Sequence, residues 1–236
     1  APMRDRAALS SRCMPEVAGA ARDALSALGL AVDHALDASI DNPLLGETHC
    51  TNNAGHMHSQ SLAMACDTLR VALGALGSIS ERRTARLVDG AHCDLPRFLV
   101  ADASRLGERS GLMIASYTAA ALVAELRVRS APAATCAPPV CGGFEDHGSM
   151  SALAARLCRE HVAQVQSLVA IELVAAAQGF DLAHRLRPAP PRLSPALAAL
   201  VSALRDHVPF CDGDDRVVAD DIAAARLVLH FGHETL

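Results

Sequence analysis

The sequence predicts an all-α fold, and three observations carry that prediction. Apolar residues recur every three or four positions along several segments, which is the spacing of an amphipathic helix. Positions 146–187 contain no proline, and no segment shows a convincing pair of alternating strands or an internal repeat. Hydrophobic residues make up 51% of the chain and aromatic residues only 3%. The core is therefore expected to be built from Ala, Leu and Val.

Turn and capping signals divide the chain into seven expected helices. Ser78-Ile79-Ser80-Glu81 matches a capping box, so a new helix is expected to begin there, and Asp146 is expected to cap the longest helix. Three prolines and two glycines predict a loop over 131–143. The expected helices cover 15–38, 59–76, 78–88, 110–128, 146–187, 195–207 and 220–231.

The longest of these helices predicts an oligomer. A helix over 146–187 would reach roughly 60 Å at 1.5 Å per residue, which is more than an ordinary domain of this size spans. Its apolar residues therefore need partners outside their own domain. We expect residues 1–187 to form the helical core and residues 188–236 a short helical segment after the linker Pro188-Ala189-Pro190-Pro191.

Charge and composition limit the function classes and the location. The net charge of −5, with both signs mixed along the chain, excludes a basic groove for nucleic acid. Charged residues near the start leave no apolar core for a signal peptide, and the apolar stretch 168–180 is too short to span a bilayer and contains Glu172 and Gln178. A cytoplasmic protein with free thiols is expected.

Several motifs together resemble one family. Their order and spacing are similar to the C-terminal half of the aromatic amino-acid ammonia-lyases and aminomutases, of the histidine ammonia-lyase type. The resemblance implies a long-helix bundle of the fumarase/aspartase type that assembles into a larger helical oligomer. The motifs are Arg12-Cys13-Met14-Pro15-Glu16-Val17, Ile40-Asp41-Asn42-Pro43, Gly55-His56-Met57-His58, Ser78-Ile79-Ser80-Glu81-Arg82-Arg83 and Glu145-Asp146-His147-Gly148-Ser149-Met150.

The resemblance also implies a partner chain. The family carries an electrophilic methylidene-imidazolone, formed from an Ala-Ser-Gly tripeptide in its N-terminal half. This sequence contains no Ala-Ser-Gly, so no such group is expected to form in it. We expect a separate chain resembling the N-terminal half to carry the group, in a heterotetramer or larger hetero-oligomer that acts on an amino acid.

Two charged residues match positions in the family's site. Arg12 matches an arginine that resembles a clamp for the substrate carboxylate, and a guanidinium offers that group a planar two-pronged fork. Glu145 matches a glutamate near the substrate amine or ring, where a carboxylate can hold an ammonium or take a proton. Glu145 is the expected catalytic residue. A surface ion pair for Arg12 and a plain loop position for Glu145 are the alternatives, and His147 is expected to be a packing residue.

Three departures from the family pattern lie in the same pocket. Leu9 stands where the family has a tyrosine three residues before the arginine, so a step that needs the phenol is lost. His56 and Met57 replace an Asn-Phe pair, and Phe144 replaces a Gln. Together with Arg12, the residues His56, Met57 and Phe144 are the expected substrate contacts. Their change predicts a changed substrate, a changed reaction or lost activity.

Two further readings remain open. Cys50, His56 and His58 could supply three zinc ligands, but their spacing matches no standard site, so no metal is expected. In function, an enzyme subunit completed by its partner is favoured by Arg12 and Glu145, whereas a non-catalytic scaffold is favoured by Leu9. Elimination without a prosthetic group is a third reading, which the absence of the N-terminal half disfavours.

Overall fold

The computed structural model describes residues 8–51, 53–189 and 192–231 and confirms the all-α prediction. Helices account for nearly all regular structure in these residues, with one minimal strand pair. Short 3-10 turns occur in the loops at His56–His58, Arg97–Leu99, Ala103–Arg105, Ala133–Thr135 and Cys141–Gly143. The elements are α1 (Leu9–Arg12), α2 (Met14–Asp37), β1 (Leu44–Leu45), β2 (Cys50–Thr51), α3 (Gln60–Asp89), α4 (Met113–Val128), α5 (Ser151–Leu186), α6 (Pro195–Arg205) and α7 (Val218–Phe231).

Contacts between residues divide the chain into two compact units. The first unit takes its residues from Ala1–Cys13, Gly77–Glu125 and Ala163–Leu236, and the second from Met14–Leu76 and Leu126–Val162. The division predicted from the linker, at residue 187, remains a prediction. Pro190 and Pro191 of that linker lie outside the described residues.

In the first unit, aliphatic side chains from α3 to α7 form the core. Gln178, a buried polar residue in the apolar stretch of α5, is satisfied by backbone groups of two loops. Its amide nitrogen donates to Leu99 O and Cys211 O, and its oxygen accepts from Cys211 N at 3.1 Å. Its hydrogen bonds therefore fix both loops on α5. The buried core residues include Ile79, Val88, Leu99, Val123, Leu168, Ile171, Leu182, Leu204 and Ala225.

The start of α4 depends on a carboxylate far along the chain. Asp215 accepts hydrogen bonds from the backbone nitrogens of Ser110 (2.6 Å) and Gly111 (2.9 Å). Gly111 has φ +52°, and a Cβ at that position would come within 2.4 Å of Phe98 O. Only glycine fits there. The predicted helix over 110–128 is thus confirmed, beginning at Met113 after this loop.

The second unit has a core of small side chains, as the composition predicts. Cys66 of α3 and Cys158 of α5 are buried among residues that include Ala63, Leu73 and Ala154. Burial raises the pKa of the Cys66 thiol and raises that of Cys158 to about 11. Both thiols are therefore protonated at neutral pH and act as small hydrophobic groups. All eight cysteines lie in the described residues, and none is in a disulfide.

The predicted helix break before Ser78 is wrong. Helix α3 continues from Gln60 to Asp89 without interruption. The capping-box residues are used differently: Ser80 Oγ donates to Glu172 Oε2 at 2.6 Å, and Glu81 pairs with the neighbouring Arg82. A cap needs a non-helical N-cap residue, and no proline or loop supplies one here.

The predicted cap of the longest helix is also wrong. Helix α5 begins at Ser151, five residues after Asp146. Met150 has φ +53°, a left-handed conformation that cannot belong to a right-handed helix. Ser149 Oγ instead accepts a bond from Ser151 N at 3.3 Å. The remaining 36 residues still extend about 54 Å at 1.5 Å per residue.

One strand pair was missed. Leu44 pairs with Thr51 and Leu45 with Cys50 in an antiparallel hairpin. Two residues per strand are too few to show the alternation that identifies a strand in sequence. By length and composition alone, His56–Asp89 and Ser151–Leu186 could each cross a bilayer, but the core helix of a soluble protein passes the same test.

Candidate active site

The first unit carries Arg12, the expected carboxylate clamp, on the short helix α1. This helix has four residues, none of them buried, and Ala8 at its start gives no side-chain cap. Arg12 is exposed, and Leu9, at the position of the family tyrosine, is 63% exposed. A single turn is too short to be stable by itself. Its geometry depends on contacts with the rest of the unit.

A partly buried ion pair on α3 and α5 supplies one such contact. Arg83 donates from Nε and Nη2 to the two carboxylate oxygens of Glu172, with Nη2 at 2.6 Å from Oε2. Its third nitrogen, Nη1, donates to the carbonyl of Ser10 at 3.3 Å. Ser80, fully buried on α3, donates to the same carboxylate. These contacts, which we call the Arg83 clamp (Ser80, Arg83, Glu172), connect α3, α5 and α1.

In the second unit, the 3-10 turn His56–His58 is brought beside the segment that carries Glu145. The rings of His58 and His147 stack with centroids 5.0 Å apart and planes 26° from parallel. His58 Nε2 lies 2.9 Å from Gln60 Oε1, an acceptor, so this nitrogen carries the hydrogen. The exposed ring of His147 packs on that of His58, and the prediction that it is a packing or hydrogen-bonded residue rather than a catalyst stays a prediction.

The segment that carries Glu145 is held by its backbone. Val140 N donates to Glu145 O at 2.9 Å, and Glu145 N donates back to Val140 O at 3.3 Å. The side chain of Glu145 is exposed, as is that of Met57, and Phe144 is 93% exposed.

The structure therefore groups four of the five expected site residues in one unit. His56, Met57, Phe144 and Glu145 belong to the second unit, and His56 Nδ1 lies 3.4 Å from the carbonyl of Ser39. Arg12 belongs to the first unit. No cluster of three or more His, Cys, Asp or Glu that could hold a metal occurs in the described parts of the chain.

A second buried pair fixes the loop before Glu145. Asp67 Oδ2 accepts from Ala134 N at 2.8 Å, and the guanidinium of Arg70 donates to Ala131 O. The Asp67 and Arg70 side chains are 8% and 0% exposed, with 3.2 Å between Oδ1 and Nη2. We call this group the Arg70 clamp (Asp67, Arg70 and the backbone of Ala131 and Ala134). It holds the 3-10 turn Ala133–Thr135 on α3.

Sequence reasoning missed both clamps, although each left a signal. Glu172 interrupts the most apolar stretch of α5, and a charge in such a stretch needs a buried partner. Asp67 and Arg70 are three residues apart among the apolar positions of α3, which is the spacing of an ion pair on one helix face. Neither signal identifies the backbone groups that complete the clamps.

Solved structures define the class of protein to which this fold belongs. Histidine ammonia-lyase from Trypanosoma cruzi matches with a TM-score of 0.86 and 35% identity, over 96% of this chain and 44% of that one. Tyrosine aminomutase from Streptomyces globisporus matches with a TM-score of 0.87 and 36% identity, over 97% and 42%. The fold is that of the helical ammonia-lyases and aminomutases.

Sequence relatives identify the family. Histidine ammonia-lyase from Symbiobacterium thermophilum is 40% identical over 231 residues, which is 98% of this chain and 44% of the relative. Its counterpart from Streptomyces coelicolor is 42% identical over 227 residues. The family model for aromatic amino acid lyases matches residues 2–206. The chain belongs to the aromatic amino acid lyase family, as its motifs predicted.

The match covers only part of each relative. The chain spans about 44% of the length of the curated relatives it matches and corresponds to the C-terminal half of the family.

Proposed function

We propose that this chain is a subunit of a carbon–nitrogen lyase or aminomutase that acts on an amino acid. In this proposal it contributes carboxylate- and amine-binding residues to a site whose methylidene-imidazolone lies on a partner chain. One observation carries the proposal: the chain matches about the C-terminal half of histidine ammonia-lyases and contains no Ala-Ser-Gly. The assembly is a cytoplasmic hetero-oligomer, a heterotetramer or larger.

The exposed candidate side chains support a site completed from outside the chain. Glu145, Phe144 and Met57 are open to solvent, and Arg12 is exposed as well. A pocket made by one chain would bury most of a ligand among its own residues. When bound, the methylidene-imidazolone supplies an electrophile that activates the substrate amine as a leaving group.

The residues of this chain bind and orient the substrate. Arg12 presents two parallel N–H donors to the substrate carboxylate, a geometry that an ammonium group cannot reproduce. Glu145 holds the substrate ammonium or accepts a proton. Met57 and Phe144 contact the substrate side chain beside His56, where their differences from the family select a different amino acid.

A non-catalytic scaffold is the second candidate function. Leu9 favours it, since an alkyl group at the position of the family tyrosine neither donates nor accepts a proton. A scaffold would stabilise an active lyase partner through its long helices without touching the substrate. The two functions differ in whether Arg12 and Glu145 affect turnover.

The test is reconstitution with a separately expressed chain that carries Ala-Ser-Gly. This chain alone is expected to show its unmodified mass and no turnover of histidine, phenylalanine or tyrosine. The mixture is expected to gain activity that borohydride abolishes. Arg12→Lys should lower kcat/KM by an amount equivalent to a loss of about 2–3 kcal/mol of transition-state binding. Light scattering should show that the assembly remains intact.

Controls separate the candidates. Arg156→Lys, at an exposed pair with Glu160 on α5, should leave the kinetics unchanged. An active mixture that tolerates both Arg12→Ala and Glu145→Gln would establish the scaffold function. Turnover by this chain alone at its unmodified mass would overturn the need for a partner.

A further inference from the structure

We propose that Arg83 and Glu172 are positioning residues that hold Arg12 in place through the backbone of α1. This inference rests on the proposed function, because it requires Arg12 to bind the substrate carboxylate. Neither Arg83 nor Glu172 need touch the substrate. Their effect passes through the hydrogen bond from Arg83 Nη1 to Ser10 O, two residues before Arg12.

The first argument is that α1 cannot fix its own orientation. None of its four residues is buried as a whole, and its turn is closed by bonds from Ser11 N and Arg12 N to Ala8 O and from Cys13 N to Leu9 O. The conformational entropy lost in nucleating a helix exceeds the stabilisation that a single hydrogen-bonded turn provides. Contacts from outside the turn therefore help to fix the backbone from which the Arg12 side chain extends.

The second argument is the rigidity of the group that supplies this contact. Arg83 and Glu172 are 17% and 18% exposed and form a two-pronged pair. Ser80 adds a third bond to the same carboxylate. With both prongs of the guanidinium engaged by Glu172, its remaining nitrogen points to Ser10 O without freedom to rotate. An anchor that is already ordered holds its target at a lower entropic cost.

The third argument is that the pair supplies a contact that apolar side chains at the same positions could not supply. A carboxylate within the apolar stretch of α5 costs desolvation free energy, and hydrophobic residues often replace buried ion pairs without loss of stability. The arrangement adds a donor aimed at the one segment that carries Arg12. A purely apolar contact between α3 and α5 could not supply this donor.

The direct test is hydrogen exchange in the full chain, followed by mass spectrometry of the peptide covering Ser10 to Cys13. In Arg83→Gln, the amides of Ser11, Arg12 and Cys13 should exchange about tenfold faster, because the turn opens more often without its anchor. Arg156→Gln, which breaks an exposed pair on α5, should leave these amides unchanged. Equal protection in Arg83→Gln and wild type would overturn the proposal.

A second variant keeps the exchange experiment interpretable if Arg83→Gln does not fold. Arg83→Gln leaves the partly buried Glu172 without its ion-pair partner, which lowers the stability of the chain. The double variant Arg83→Met with Glu172→Met removes both charges and retains apolar packing. It should remain folded by circular dichroism and still show the faster exchange in α1. A folded double variant with wild-type protection would also overturn the proposal.

Kinetics of the complete assembly then test whether the placement of Arg12 by Arg83 affects substrate binding. Arg83→Gln should raise KM for the amino acid about tenfold with a smaller change in kcat. In an Arg12→Ala background the same change should have no further effect, which a general loss of stability would not produce. Additive effects would overturn the positioning role while leaving the proposed function intact. No effect of Arg12→Ala alone would overturn both.

Discussion

The two clamps differ in how completely their arginines are satisfied. In the first unit all three nitrogens of Arg83 donate hydrogen bonds, and the side chain keeps some contact with water. In the second unit Arg70 is fully buried, and its Nε and Nη1 have no hydrogen-bond partner among the described residues. The Arg70 clamp therefore depends on Asp67 for its charge balance, whereas the Arg83 clamp is supported by several donors and by solvent.

This comparison predicts unequal costs of removing each arginine. Arg70→Met should lower the free energy of unfolding by about 3–5 kcal/mol, because it leaves Asp67 as an uncompensated buried charge. Arg83→Met should cost about 2 kcal/mol, because Glu172 can still reach water and Ser80. Urea unfolding followed by circular dichroism measures both. Arg156→Met should change stability by less than about 0.5 kcal/mol, and equal costs for the two clamps would contradict their ranking.

Removing both charges should sharpen the difference. Arg83→Met with Glu172→Met should stay within about 1 kcal/mol of wild type, as paired replacement of an ion pair often does. Asp67→Leu with Arg70→Met should still cost about 2 kcal/mol, since Ala131 O and Ala134 N lose their partners. The same urea titration applies. If Asp67→Leu with Arg70→Met leaves the free energy of unfolding unchanged, the backbone groups of the Ala133–Thr135 turn must find other partners.

The smallest expected effect is a pH dependence confined to the second unit. His161, fully buried on α5, has a pKa lowered by burial and by the charge of Arg70, with Arg129 adding to it. As pH falls below about 6.5, the His161 imidazole is therefore protonated in the unfolded chain before it is protonated in the folded chain. The free energy of unfolding should therefore keep its full value above that pH. As pH falls toward the lowered pKa of His161 in the folded chain, it should decrease by up to about 1.4 kcal/mol per pH unit.

A matched histidine isolates this contribution. Nδ1 of His161 lies 2.9 Å from Leu157 O, and Nδ1 of the exposed His184 lies 3.0 Å from Phe180 O, also four residues earlier on α5. His161→Gln should flatten the acid limb of the stability curve, and His184→Gln should not. Parallel curves for wild type and His161→Gln would assign the acid sensitivity elsewhere.

The sequence predicted the elements that repeat a pattern over many residues and missed those set by single contacts. Helices α2, α4, α6 and α7 follow the predicted ranges closely, because apolar spacing is a property of a whole segment. The break at Ser78 was wrong because Ser80 bonds to Glu172 within a continuous helix. The cap at Asp146 was wrong because Met150 is left-handed directly before α5. The family motifs gave candidate site residues, whose roles stay predictions, but only the fold reveals the contact of Arg83 with Ser10.

Because α3 is one uninterrupted helix, Arg70 and Arg83 share a single helical register. An inserted or deleted residue anywhere between them would turn one arginine by roughly 100° and shift it by about 1.5 Å relative to the other. If one end of α3 stays in place, the arginine nearer the other end moves away from the backbone carbonyl that it binds, which is Ser10 O for Arg83 and Ala131 O for Arg70. An insertion or deletion between Arg70 and Arg83 should therefore disrupt one of the two clamps.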